Sequence, residues 1–108
     1  MTHPAKRKGD LFERTIVDYL AEQLPAERIP ASATIDRGDI WLPGTTLQCK
    51  NHVRLDLPAA WRDTQQQAGN NRHHDGWLIH KRHGVTDPAA QWVTCDLAQL
   101  RRHLERNM

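Results

Sequence analysis

Three polar residues in the first half of the chain have the types and spacing needed to hydrolyse a phosphodiester. Asp39 opens a short apolar segment, and Gln48 and Lys50 lie two positions apart in the next one. Side chains two positions apart on a strand point to the same face of a sheet. Pro43 and Gly44, between the two segments, favour a hairpin, which would place Asp39 beside Lys50. The sequence therefore predicts a carboxylate, an amide oxygen and an ammonium group in one place.

This combination suits a metal-dependent nuclease. Carboxylate and amide oxygens are ligands for Mg²⁺, and a lysine can position or deprotonate the attacking water. One aspartate and one neutral amide hold a hard dication weakly, so a second carboxylate is expected, and Glu13 of the first predicted helix can supply it. We predict Asp39, Gln48 and Glu13 as metal ligands, all three with Lys50 as catalytic residues, and Mg²⁺ as the cofactor, with Mn²⁺ able to replace it.

Each of these residues also has a structural interpretation. Asp10 and Glu13 have the spacing of a capping box, in which Glu13 would only stabilise the start of a helix. Asp39 follows a glycine and could be a turn residue. Gln48 and Lys50 could be solvated residues of an edge strand. We favour the site, because a turn aspartate does not require a Gln-x-Lys strand at hairpin distance.

Hydrophobic periodicity predicts the elements that would position this site, in the order α-β-β-β-α-β-β-α within a single domain of 108 residues. Residues 1–9 are predicted to be a flexible basic arm. Helices are predicted at Leu11–Leu24, at Leu57–Asn70 and after a capping Asp96. Strands are predicted within Arg28–Asp36, which also holds a turn, and at Asp39–Leu42, Thr45–Lys50, Gly76–His80 and Gln91–Cys95.

Glu13 on the first helix, Gly38-Asp39 at the start of a strand and Gln48-x-Lys50 on the next resemble the PD-(D/E)xK nuclease superfamily, particularly its small Holliday junction resolvase-like members, including phage-encoded ones. The resemblance implies an α/β fold with a restriction-endonuclease-like αβββαβ core, whose mixed central sheet is flanked by helices. By this resemblance, Asp39 is the metal-binding aspartate, Lys50 is the active-site lysine and Glu13 is the acid of the first helix. Gln48 stands where the pattern has its second acid. The implied activity is endonucleolytic cleavage of branched DNA such as a four-way junction.

The charge of the chain is nearly balanced, with 15 Lys and Arg against 13 Asp and Glu, which alone does not indicate nucleic-acid binding. The seven histidines lie mostly among the cations, so an anionic partner would raise the local positive charge. Gln67 lies on the helix that packs beside the site in the resembling family. The predicted DNA contacts are Lys6, Arg7, Lys8, Arg37, His52, Arg54, Gln67, Lys81 and Arg82.

A homodimer is the predicted assembly, because a four-way junction is resolved by paired nicks and each subunit carries one site. The candidate interface is the apolar side of the last helix, with Leu97, Leu100 and Leu104, together with the strand Gln91–Cys95. No segment reaches the roughly 18 apolar residues of a membrane span, so we expect a soluble, cytoplasmic protein of a bacterial or phage-infected cell. Two other hypotheses stay open: a noncatalytic DNA-binding module with a decayed site, and an interaction protein whose basic arm binds RNA.

Overall fold

The chain folds in the predicted order of helices and strands. A computed structural model describes residues 4–30 and 35–108, so residues 1–3 of the predicted arm and residues 31–34 of the predicted first strand and turn lie outside the described residues. The elements are α1 (Pro4–Ala21), β1 (Glu27–Arg28), β2 (Ile40–Leu42), β3 (Thr45–Lys50), α2 (Leu57–Asn70), β4 (Asp75–His80), a 3₁₀ turn (Pro88–Ala90), β5 (Trp92–Thr94) and α3 (Leu97–Arg106).

The five strands in the described residues form one mixed sheet, in the same order as in the chain, β1-β2-β3-β4-β5. β3 and β4 are parallel, while the other neighbours are antiparallel. α2 connects β3 to β4, since parallel neighbours need a crossover. The predicted α/β class with a mixed sheet is therefore confirmed.

The alternation of side chains along β3 decides which helix each face of the sheet receives. Leu47 points to the face covered by α1, where it joins a core formed by Phe12, Ile16, Val17, Ile40 and Ile79. Its neighbour Gln48 points to the other face and contacts Thr64 of α2. Lys50 shares the face of Gln48, because the two residues are two positions apart.

The first helix begins earlier than predicted. The structure places Pro4–Ala21 in α1, so residues 4–9 are helical turns, whereas the sequence predicted a flexible arm followed by a helix at Leu11–Leu24. Proline fits the first position of a helix, and the alanine and three cations that follow it are good helix formers. The helix ends before Leu24, because a residue that precedes proline disfavours helical geometry.

The first strand is also shorter than predicted. Only Glu27–Arg28 pairs as β1, in place of a strand and turn over Arg28–Asp36.

No helix within the described residues is both long enough and apolar enough to cross a bilayer.

α3 turns polar residues toward the sheet and leucines toward solvent. The Gln99 side-chain oxygen accepts a hydrogen bond from the N–H of Gly76 at 3.1 Å, and Arg106 pairs with the buried Asp75. On the opposite side Leu97 is 79% exposed, and Leu100 and Leu104 are also exposed. This helix therefore presents an apolar stripe with nothing packed over it in the described residues.

Candidate active site

Asp39 lies immediately before β2, at the end of the sheet where β3 and β4 finish. Its backbone N–H donates to the carbonyl of Leu47 at 2.9 Å, and its own carbonyl accepts from Ile29 at 2.8 Å. Its carboxylate oxygen Oδ2 accepts the N–H of Cys49 at 2.7 Å. These bonds fix the carboxylate beside the end of β3, and Oδ1 has no hydrogen bond within the described residues.

The loop before Asp39 can be built only around a glycine. Gly38 has φ of +86°, and a Cβ at this position would lie 2.7 Å from Cγ2 of Thr46. Asp36 accepts the N–H of Gly38 on Oδ1 at 3.0 Å and closes the turn. The backbone conformation therefore requires a glycine at position 38, directly before Asp39.

Three side-chain amides near the end of α2 hold this loop in place. Gln67 donates from Nε2 to Oδ2 of Asp36 at 2.8 Å, and Asn70 donates to the carbonyl of Asp36 at 2.6 Å. Asn71 donates to the carbonyl of Arg37 at 2.7 Å. Gln67 is only 4% exposed, so it does not occupy the DNA-facing position expected for it. It is buried because α2 lies against the loop, and it positions the segment that carries Asp39.

Asp39 and Glu13 line the same cavity, whose volume is about 310 Å³. Glu13 accepts a hydrogen bond from Nε of Arg28 on Oε1 at 2.8 Å, and its side chain is mostly buried. Asp10 and Asp36 add two carboxylates to the cavity wall, and Arg37 adds a second guanidinium. Sequence reasoning missed Asp36 and Arg28 at this site; the close spacing of Asp36 to Gly38 and Asp39 was the available signal.

The carboxyl group of Asp39 is electrostatically unusual. Burial raises its pKa from 3.8 to about 6. The hydrogen bond from the Cys49 N–H opposes this change, and the charge of Lys50 also lowers the pKa, whereas the negative charges of Glu13 and Asp36 raise it. Burial is therefore the main reason that the Asp39 carboxyl group holds its proton more tightly than usual.

Gln48 and Lys50 have different relations to this cavity. Gln48 is 4% exposed, and its side-chain oxygen Oε1 accepts the hydroxyl of Thr64 at 2.6 Å beneath α2. It is not part of the cavity wall. The ammonium of Lys50 has no hydrogen-bond partner within the described residues, and its charge acts on Asp39. The structure therefore brings Asp39 and Glu13 together with Lys50 in electrostatic reach, and directs the Gln48 oxygen elsewhere.

Comparison of the chain with models of protein families, with curated proteins and with solved structures found no match. Within residues 4–30 and 35–108, no three His, Cys, Asp or Glu side chains are grouped so that they could hold a metal ion by themselves.

The predicted DNA contacts, apart from Gln67, lie at the same end of the sheet as Asp39. His52 and Arg54 follow β3 and are exposed. Lys81 and Arg82 follow β4, where the Lys81 ammonium donates to the carbonyl of Val85 and the Arg82 guanidinium lies 4.3 Å from the centre of the Trp92 ring. The remaining predicted DNA contacts are also exposed. They are Arg37 and the three cations in the first turns of α1, Lys6, Arg7 and Lys8.

Arg7 and Lys8 line a second cavity of about 440 Å³ together with Asn51 and Lys81. This places the first turns of α1 next to the ends of β3 and β4. Ligands of α/β sheets commonly bind outside the carboxyl ends of parallel strands, and this is where these cations and the carboxylates of the first cavity are found.

Proposed function

We propose that the protein is a metal-dependent endonuclease that cleaves branched or structured DNA in the cytoplasm. The observation that supports this most is the shared cavity of Asp39 and Glu13 at the carboxyl end of the parallel strands, with Lys50 beside it. Hard oxygen donors next to a lysine suit hydrolysis of a phosphodiester.

A divalent cation such as Mg²⁺ or Mn²⁺ is proposed here because Asp39 and Glu13 line one cavity and carboxylate oxygens are the donors that such ions prefer. Asp39 would hold the ion through Oδ1, and Glu13 would join it on release from Arg28. When bound, the ion supplies Lewis-acid activation of the phosphate. Lys50 would orient the attacking water and stabilise the negative charge that develops on the phosphate oxygens.

The restriction-endonuclease-like αβββαβ core is part of this proposal. Its support is the order α1-β1-β2-β3-α2-β4, with the parallel β3–β4 pair joined through α2. β5 and α3 then lie beyond the core. The DNA backbone would be held by the exposed cations at the Asp39 end of the sheet, which gives affinity without reading of the sequence.

Two copies of the chain would form the active assembly. Paired nicks in a four-way junction need two sites, and the exposed leucines of α3 offer a face for a second copy. β5 is an edge strand in the described sheet and could extend the same interface.

A noncatalytic DNA-binding module is the second candidate. The hydrogen bond from Thr64 to the Gln48 oxygen favours it, because this bond occupies the atom that would have been the third ligand. The ion pair of Glu13 with Arg28 acts in the same direction. Binding of DNA does not separate the two candidates, whereas metal-dependent cleavage does.

The test is incubation of the purified protein with a four-way junction, a linear duplex and a single strand of the same sequence. Each reaction contains Mg²⁺, Mn²⁺ or EDTA. We expect cleavage of the junction with either metal and none with EDTA, and a loss of about 100-fold or more in rate for Asp39→Ala and Lys50→Ala. Asp18→Ala and Arg62→Ala, which remove exposed charges of α1 and α2, are the matched controls. Binding without cleavage under every condition would reject the nuclease in favour of the second candidate.

A further inference from the structure

A cleft rich in arginine adjoins the acidic cavity. We call it the arginine cleft; its volume is about 550 Å³, and its wall includes Arg28, Arg37, Arg72, Trp41, Asn70 and Asn71. Arg28 and Arg37 also line the cavity of Asp39. A ligand that fills the cleft would therefore lie directly beside the predicted catalytic residues.

The cleft is positively charged, and most of its arginines are not neutralised by ion pairs. Arg37 and Arg72 are exposed and form no ion pair within the described residues, while Arg28 contacts Glu13 through Nε alone. Glu27 is the one carboxylate among the described residues of the wall. Guanidinium groups in this arrangement suit phosphate groups, which they bind through two parallel hydrogen bonds.

Arg72 occupies a backbone position where glycine is usual. It follows the Asn71 cap of α2 with φ of 57°, and its N–H donates to Gly69 at 3.0 Å while that of His73 donates to Ala68 at 2.9 Å. These two bonds define a Schellman turn, whose left-handed residue is most often glycine because a Cβ is unfavourable there. An arginine at this position accepts backbone strain and places its side chain at the cleft.

Trp41 supplies an aromatic surface in the same cleft. Its side chain is 38% exposed, and its ring centre lies 5.7 Å from that of His73 at an angle of 50°. Nδ1 of His73 is hydrogen-bonded to the Thr46 hydroxyl at 2.9 Å, so the ring beside the indole is itself fixed. An oriented indole next to guanidinium groups is the combination that binds unpaired bases and their phosphates.

We propose that the arginine cleft binds an unpaired DNA strand next to the catalytic cavity, with a base stacked on Trp41 and a phosphate held by Arg72 and Arg37. This inference rests on the proposed function. A fully paired duplex keeps its bases stacked inside the helix, so it cannot present one to the indole. The cleft would thus select substrates that have unpaired nucleotides beside the scissile phosphate, such as forks and flaps with a single-stranded arm, and four-way junctions only where base pairs open at the branch point.

The experiment measures binding without metal, so that it does not depend on cleavage. A fluorescent oligothymidylate and a blunt duplex are titrated with the protein in EDTA, and anisotropy is recorded at several salt concentrations. We expect Trp41→Ala to weaken single-strand binding by roughly fivefold or more, which is the low end of what one base–aromatic stack contributes. Arg72→Gly should weaken it as well and reduce the salt slope by about 0.7, the value for one phosphate contact on a single strand. Duplex binding should change less in both variants.

Two features of the design keep the outcome interpretable. Arg72→Gly relieves the left-handed strain, so we expect its melting temperature to equal or exceed that of the wild type, and unfolding cannot explain a loss of binding. Tyr19→Ala, which removes an aromatic ring of α1 that is 42% exposed, and Arg62→Ala are the controls, and both should bind as the wild type does.

Wild-type single-strand affinity in both Trp41→Ala and Arg72→Gly would overturn the cleft proposal, even if the protein cleaves DNA. Equal losses in the two control variants would overturn it too. Loss of binding in the cleft variants from a protein that cleaves nothing would reject the nuclease and leave the cleft supported.

Discussion

Replacement of Asp39 by asparagine should stabilise the folded protein at neutral pH. The pKa of Asp39 is raised from 3.8 to about 6, mainly by burial, so the folded state holds this proton more tightly than the unfolded state does. Above about pH 6 the carboxylate is ionised in a place that disfavours its charge. Asparagine has nearly the same shape, keeps an oxygen to accept the Cys49 N–H and carries no charge.

The sign and size of the effect follow from proton linkage. Between about pH 4 and pH 6 the folded wild type binds more protons than the unfolded chain, so this group lowers the free energy of unfolding as the pH rises through that window. A pKa displacement of about 2 corresponds to roughly 3 kcal/mol at about 1.4 kcal/mol per pH unit. Asp39 keeps some contact with solvent, which reduces this effect. We therefore expect the free energy of unfolding of Asp39→Asn, measured relative to that of the wild type, to be about 1 to 3 kcal/mol higher at pH 7 than at pH 4.

The assay is urea unfolding of both proteins from about pH 4 to pH 8 in EDTA, with Asp18→Asn as the control for loss of one exposed carboxylate. A second series with Mg²⁺ should stabilise the wild type but not Asp39→Asn, because ligands that bind only the folded state raise its stability. If the difference in free energy of unfolding between Asp39→Asn and wild type stays constant with pH, ionisation of Asp39 does not destabilise the folded protein and the prediction is wrong.

Three further outcomes are expected. Gly38→Ala should lower the free energy of unfolding in urea by about 1 to 3 kcal/mol, because it adds both a close contact and left-handed backbone strain. Gly44→Ala should lower it less, because Gly44 has φ of +74° but open space around it. Equal losses in the two variants would show that the close contact is unimportant. Gln48→Glu should leave the Mg²⁺ concentration needed for cleavage unchanged, because the side chain at position 48 lies against Thr64 and outside the cavity wall, and a lowered requirement would make this position a ligand. Leu97→Glu should shift sedimentation at micromolar concentration from dimer to monomer without loss of the fold, and a wild-type protein that is already monomeric would reject the paired assembly.

The sequence was sufficient for elements whose signals are local. α2 begins at Leu57 after its Asp56 cap, and β3 spans Thr45–Lys50, as predicted, because proline, capping and alternation signals bound both segments tightly. The start of α1 was wrong, because charged residues at a chain end were interpreted as disorder although they are strong helix formers.

The candidate site was predictable in its motif but not in its supporting contacts. Gln48 and Gln67 are polar, and polarity indicates exposure, yet both are buried where α2 crosses the sheet and the loop. Trp41 and Arg72 are 31 positions apart in the chain, and only the packing of α2 against the sheet brings them to one cleft. Such pairs leave no periodic signal in a single sequence.

The agreement between strand order and chain order bears on how the protein forms during synthesis. Each strand that leaves the ribosome can add to the edge formed by the strand before it, and α2 is the one long crossover in the described sheet. The last contacts to appear are those of α3, in which Arg106 pairs with Asp75 and Gln99 accepts the N–H of Gly76. Until α3 is translated, Asp75 lacks the guanidinium group with which it pairs in the folded domain, and the N–H of Gly76 lacks its acceptor. We therefore expect the nascent domain to stay open to chaperones and proteases until its final helix emerges.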